Sequence, residues 1–272
     1  MSKFRSIFLF LFFWIVLSSC EKVIEFDLAG SKQAIVIEAT ITNSKLPFTV
    51  LVSKTSPYFG AKTNNLVSGA KVSVRSEGGK PFYFVESGPG VYKLERTHAS
   101  VGFLYIIDVE YEGVTYSASS FLNDPVPIVD LSFSYFDGLG FFDSGYKVSC
   151  FLRDPVSKEN YYRLKFFVNA KPIDDRGEIS LYSDKLFNGM VVGLGQRSIV
   201  FNKTDTLTIE LQSIDKAAYN YFLTLENIAG NEMLQTASPA NPISNFSNGA
   251  LGYFSAYSFD RRTLVVNDYI NK

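Results

Sequence analysis

The sequence predicts a mainly β protein: an N-terminal β-sandwich followed by a second antiparallel β domain that carries one amphipathic helix. Three observations predict it. Apolar and polar residues alternate with period two in one short run after another, the signature of half-buried strands. Gly-, Pro- and Asn-marked turns separate the runs. The strand-favouring aromatics are plentiful, 25 Phe and 16 Tyr against 3 Met, which weights the balance further towards sheet.

The elements follow in order. In "AIVIEATIT", Ile35, Ile37, Ala39 and Ile41 share one face, and Val36, Glu38, Thr40 and Thr42 the other. "PFTVLVSK" aligns Phe48, Val50 and Val52, and "AKVSVRS", "FYFVE" and "VYKLE" follow around the turns "EGGKP" and "SGPG". "FLYIIDVEY" and "VTYSASS" meet through Glu112-Gly113, a hairpin signal. So many short strands in residues 33–122 make a sandwich. "LNDPVPIVD" marks the boundary, because two prolines stiffen an extended connector.

Residues 123–272 restart the alternation. Strands are expected near "VDLSFSYF", in "YKVSCFLRD" with Cys150 on the apolar face, and in "TLTIELQS" with Leu207, Ile209 and Leu211 aligned. "NYYRLKFFVNA" places Tyr162, Leu164, Phe166 and Val168 inward, with Tyr161, Arg163 and Lys165 outward. Helical spacing arises in "SIDKAAYNYFLTLEN", where Ala218, Tyr221, Phe222 and Leu225 recur and Ser213 or Asp215 caps the start. A helix near 215–227, ending before Gly230, is expected. "LGYFSAYSF" and "RTLVVND" then read as a closing strand pair.

The chain starts differently. After Lys3 and Arg5 comes an unbroken apolar run of 11 residues, Ile7 to Leu17. As a helix it spans roughly 16 Å, about half of a bilayer's ~30 Å hydrocarbon layer. That length suits a secretory signal over residues 1–19 better than a transmembrane anchor. It ends in Leu17-Ser18-Ser19-Cys20, which resembles the lipobox of bacterial lipoproteins. The resemblance implies cleavage before Cys20 and its lipidation, with residues 20–32 as a lipidated tether and the membrane as a first partner. Each buried lipid methylene contributes about 0.8 kcal/mol, so two or three acyl chains hold lastingly. A secretory signal with an accidental Cys, or an uncleaved anchor, is the alternative. The expected location is therefore the cell envelope, as an outer-membrane lipoprotein whose exposed face the sequence leaves open.

Charge narrows the partners. The 26 basic and 27 acidic side chains nearly cancel and form no basic block, so a nucleic-acid surface is not expected. With Cys20 lipidated, Cys150 is alone and no intrachain disulfide forms.

Two family resemblances follow. "SGAKVSVR", "GPGVYKLE" and "YIIDVEYEGVTYSA" resemble transthyretin-like and peptidase-regulatory β-sandwich modules, which implies a fold and no chemistry. The lipobox, "KVIEFDL", "AIVIEATIT", "VSGAKVSV" and "PGVY", with "DPVSKENYYRLKFFVN", "LQSIDKAAYNYFLTL" and "SPANPISNFSNGALGYFSAYS", together resemble a lipoprotein family of Bacteroidota, domain of unknown function 4249. This resemblance implies an exported lipoprotein encoded beside TonB-dependent outer-membrane receptors. It carries over no catalytic or ligand residues.

Chemistry is sparse. The single histidine, His98, lies in the polar stretch "ERTHAS" without a nucleophile elbow, and no cofactor motif or zinc set accompanies it. Asp137, Asp143, Asp174, Asp175 and Glu178 read as solvated loop acids. Asp137 and Asp143 lack calcium-loop spacing, so no metal is expected. "GLGQRS" lacks the Lys of a phosphate loop. In "SYFDGLGFFDSG", Tyr135, Phe136, Phe141 and Phe142 flank a Gly-rich turn. Exposed, they form a patch for a partner or a sugar; otherwise they fill the seam between the domains. Asp205-Thr206-Leu207 resembles the Asp-Thr-aliphatic pattern of O-glycosylation, with Thr206 as acceptor, or Thr206 is simply a strand residue. The expected function is a non-catalytic outer-membrane lipoprotein accessory to a TonB-dependent transporter, in ligand capture or complex assembly. The alternative is a free-standing glycan- or surface-binding, adhesive lipoprotein.

Overall fold

A computed structural model of the protein describes residues 33–45, 47–56, 65–95, 99–140, 143–156, 158–173, 179–196, 199–233 and 240–270. The alternating runs become strands. In the first half they are β1 (Ile35–Thr42), β2 (Phe48–Lys54), β3 (Lys71–Ser76), β4 (Phe82–Tyr83), β5 (Val85–Gly88), β6 (Val91–Leu94), β7 (Leu104–Tyr111) and β8 (Val114–Phe121). The second half supplies β9 (Ile128–Phe136), β10 (Gly145–Arg153), β11 (Tyr161–Val168), β12 (Lys171–Pro172), β13 (Ser180–Ser183), β14 (Val191–Leu194), β15 (Thr206–Ile214) and β16 (Leu251–Val265). Two α-helices are described, α1 (Lys216–Met233) and the short α2 (Val266–Ile270), with one turn of 3-10 helix at Asp184–Leu186. The protein is mainly β, its strands paired antiparallel except where β16 meets β1, with one long helix.

Three sheets form. The longest has nine strands in the order β12-β11-β15-β16-β1-β2-β6-β5, with β13 also on β11; the others run β14-β10-β9 and β4-β3-β7-β8. Two cores lie between them. The first gathers Ile37, Ala39, Ile41, Val50, Val52, Val72, Ile107, Val109 and Leu122 with Phe246, Phe254 and Ala256. The second gathers Val126, Ile128, Leu131, Val148, Cys150, Leu152, Tyr162, Leu164, Phe166, Leu207, Ile209 and Leu211. The core thus changes between Leu122 and Val126, at the proline-bearing connector, while the long sheet runs on across it.

That continuity comes from β16. The expected closing pair of strands is one strand of 15 residues, about 50 Å at 3.3 Å per residue. Nothing in "SFDRRT" makes a turn, so the strand runs through and changes partner instead. Residues 251–257 pair parallel with β1, from Val36↔Leu251 to Thr42↔Tyr257. Residues 258–265 pair antiparallel with β15, from Ser213↔Ser258 to Thr206↔Val265. Close approach at its start needs Gly252, at φ +94°, where any side chain would meet the Ile37 carbonyl.

Helix α1 starts where expected. The Asp215 Oδ1 accepts the Ala218 N–H at 2.9 Å, and Oδ2 accepts the Phe121 N–H at 3.1 Å. The cap therefore also ties the helix to the end of β8. The helix continues through Gly230 to Met233; a single glycine costs about 1 kcal/mol, too little to stop it. Its apolar stripe, with Ala218, Tyr221 and Phe222, packs on Tyr161, Ile214, Tyr253 and Tyr257. This corrects the expected outward face of β11. Tyr161 and Arg163 are buried, because the helix covers the side of the sheet that faces away from the second core. The Arg163 guanidinium lies 4.1 Å from the Phe222 ring centroid.

Candidate functional site

Two loops at the junction end of the second core are joined through buried carboxylates. One follows β10 and holds Asp154, Val156 and Asn160; the other follows β13 and holds Asp184, Leu186, Gly189 and Met190. Asp154 and Asp184 are each 2% exposed. The Asp154 Oδ1 accepts the Tyr162 hydroxyl at 2.6 Å, and Oδ2 accepts the Gly189 N–H at 2.9 Å. The Asp154 N–H donates in turn to the Met190 carbonyl at 2.9 Å. Asp184 Oδ2 accepts the Asn160 N–H at 2.9 Å, and the Asn160 side chain donates to the Pro155 and Lys158 carbonyls. Burial first, then the Asp154 carboxylate, pushes the Tyr162 phenol above its ordinary range, so Tyr162 stays a donor. These carboxylate oxygens are already engaged by N–H and O–H donors. Among the described residues no group of three His, Cys, Asp or Glu stands together.

What this frame holds outward is apolar. Leu186 is 93% exposed, Val156 74% and Met190 57%, and Val191 beside them is exposed too. Gly189, at φ +75°, lies directly against Val156, where a Cβ would come within 2.8 Å of its Cγ2. The same loop reaches the first half of the molecule through Lys158. Its ammonium donates to Asn123 Oδ1 at 2.9 Å and lies 5.4 Å from the Phe121 ring centroid. Phe121 and Phe103 are both exposed at that end of β7 and β8, where the Leu122 N–H meets the Phe103 carbonyl. Large apolar side chains exposed in this way are available for burial against another molecule. Burying one Leu is worth about 1.5–3 kcal/mol, and a surface ordered beforehand loses little entropy on binding.

The residues expected from sequence lie elsewhere. Tyr135 is exposed at the far end of β9, its ring 5.2 Å edge-on to Tyr146. Phe136 is half-buried beneath the Lys147 ammonium, 3.9 Å from the ring centroid. Phe141 and Phe142 lie outside the described residues, as do Cys20 and its tether, His98, Asp174, Asp175 and Glu178. Asp137 and Asp143 are exposed. Thr206 is half-buried at the start of β15, its N–H on Asn169 Oδ1 at 3.2 Å, at the same far end as Tyr135. Cys150 is fully buried, and burial pushes its thiol up to about 12. The apolar loop tips escaped the sequence reading; the Asn188-Gly189 turn between Phe187 and Met190 was the available signal.

The protein-family model described as "Domain of unknown function (DUF4249)" matches residues 21–263. No curated protein matches at a significant level. Among solved structures, the chain is similar to the two fibronectin type-III domain segment from chicken tenascin at 13% identity, over 67% of this chain and 91% of that one, with a TM-score of 0.23. The architecture rests on the strand pairing. The family match spans both cores and nearly all of the described residues. The chain belongs to the DUF4249 family.

Proposed function

We propose that this protein is a non-catalytic outer-membrane lipoprotein that grips a partner protein, acting as accessory to a TonB-dependent transporter in ligand capture or complex assembly. One observation carries the reading. Leu186, Val156 and Met190 are presented to solvent on loops fixed by buried Asp154 and Asp184. Such an arrangement spends a buried polar network on holding apolar side chains in water, which benefits binding and not solubility. The Leu17-Ser18-Ser19-Cys20 quartet supports the anchor, and the company implied by the family resemblance supports the transporter. The test is a mild-detergent pull-down of the tagged full-length protein from its own cells, beside Cys20→Ala and Leu186→Asp. Recovery of a barrel receptor, lost in both variants, is the expected result. Recovery that survives Leu186→Asp would remove the junction surface from the argument.

Tyr135 favours a second reading. An exposed aromatic ring braced against Tyr146 suits stacking on a sugar, as in a free-standing glycan- or surface-binding lipoprotein. Glycan-array binding by the purified protein, abolished by Tyr135→Ala, would raise this reading above the first.

A further inference from the structure

A groove of about 460 Å³ opens on the outer face of the four-stranded sheet, in the first half of the molecule. Register fixes what faces it. Ile106 pairs with Ser119 and Asp108 with Ser117 across β7 and β8, while Arg75 and Ser73 of β3 stand beside Ile106 and Asp108. Directly opposed residues share a face, and the buried alternates Ile107, Val109 and Ala118 turn to the first core. Leu104 and Ile106 therefore form an aliphatic floor, with Ser117 and Ser119 beside it.

The far wall is the segment 244–248, which runs along β8 like an extra strand. The Ser247 N–H donates to the Ser117 carbonyl at 2.8 Å, and Ser247 Oγ accepts the Ser117 N–H at 2.9 Å. Asn245 pins the segment to β16, accepting the Phe254 N–H at 2.9 Å and donating to the Phe254 carbonyl at 2.8 Å. The wall is thus set before any ligand arrives, which saves ordering entropy on binding. Its hydroxyls keep capacity to spare. Ser247 Oγ and Ser244 Oγ accept the Ser117 and Phe246 N–H groups, so each retains an O–H to donate. Asp108, beside the groove, accepts the Ser117 hydroxyl at 2.6 Å and pairs with Arg75.

We infer that this groove binds a neutral saccharide, one ring lying on Leu104 and Ile106 with its hydroxyls on Ser119, Ser244 and Ser247. The lining selects that class. Among the described residues that form it none is charged, and the Arg75–Asp108 pair beside it cancels. An ionic ligand would find no counter-charge there. An apolar one would leave serine hydroxyls without water or partner, at about 1–3 kcal/mol per group. A sugar ring offers an apolar C–H face to the floor, and hydroxyls that both donate and accept to the wall. The volume is within the ~300–1,000 Å³ usual for small-ligand sites. Phe121, next to Leu104 on the same face, is exposed at one end, where a further ring can stack. The ligand class is that of the second reading above, but the site is separate from Tyr135 and stands whether or not a transporter is the partner.

The test offers the full chain, in a sugar-free detergent, an array of neutral gluco-, manno-, galacto- and xylo-oligosaccharides beside uronate-bearing ones. The strongest binder is then followed by titration calorimetry. A neutral oligosaccharide should bind, with an affinity indifferent to added salt. Ser119→Tyr, which fills the groove from an exposed position, should weaken it about tenfold or more. Ser119→Ala, which removes one hydroxyl and little packing, should weaken it roughly threefold and keeps the question decidable if Ser119→Tyr does not fold. Tyr135→Ala should leave it unchanged. An array that yields no binder, or only uronate-bearing ones, would overturn the inference. So would binding that survives Ser119→Tyr, or that is lost with Tyr135→Ala, which would move the sugar to the far end of β9.

Discussion

The two cores are built from different materials. The first is apolar almost throughout, and the buried polar group at its margin, Ser120, donates no charge; its hydroxyl accepts the Ala256 N–H at 2.8 Å. Beside the second lie buried Asp154, Asn160 and Asp184, and on the reverse face of its long sheet Arg163, Glu210 and Gln212. Glu210 is paired with Arg261 and also accepts from Gln212 at 2.7 Å. Buried charge is a poor source of stability and a good source of fixed geometry. The difference teaches that the first half is held by apolar packing, whereas the second also uses buried polar groups to fix its loops. The exposed loop tips at Val156, Leu186 and Met190 belong to the second.

The contrast can be broken at its strongest point first. Phe254 is fully buried in the first core on the strand shared by both halves. Phe254→Ala should cost about 3–5 kcal/mol, and denaturant unfolding should show both halves lost in one transition. Two separate transitions would mean that β16 does not couple them. Asp154→Ala comes next, at about 2–4 kcal/mol, because it strands the Tyr162 hydroxyl and the Gly189 N–H. Exchange should quicken at residues 184–190 and stay unchanged in β7. Equal quickening in β7 would erase the division of labour.

A smaller effect sits at the helix cap. Burial raises the Asp215 carboxyl above its ordinary 3.8, against the pull of its N–H donors. The folded chain therefore holds that proton more tightly than the unfolded chain. Its contribution to stability is full below 3.8 and is lost as pH rises through the raised value. Asn caps as well as Asp, so Asp215→Asn should gain on the natural protein as pH climbs through that window, seen as a rising difference in melting temperature. Smallest is Leu186→Ala, which should change stability by no more than about 0.5 kcal/mol. Partner recovery should nevertheless fall, and a loss of stability instead would make Leu186 a packing residue.

Much of the strand content was legible in the sequence, for a physical reason. Period two is a local property, so Ile35 to Thr42 or Leu207 to Leu211 announce their strands without reference to the rest of the chain. The start of α1 was legible because capping at Asp215 is equally local. What failed was decided at a distance. Whether Tyr161 and Arg163 meet solvent depends on a helix fifty-odd positions later, of order ~50 residues of loop closure away. Whether Ser258 to Val265 form a second strand depends on β15 being ready to pair where β1 ends. The exposed tips of Leu186 and Val156 were missed because an apolar residue in a loop reads as core until the packing shows otherwise.

The pairing of Val36 with Leu251 also sets an order of assembly. A ribosome delivers the chain from its N-terminus, yet the inner neighbour of β1 is among the last strands to emerge, after roughly two hundred residues of intervening chain. Until then β1 presents a naked edge, and the earliest part of the molecule waits for the latest. A copy cut short before Leu251 would lose more than its tail: the first half would stay unfinished and prone to stick to its neighbours.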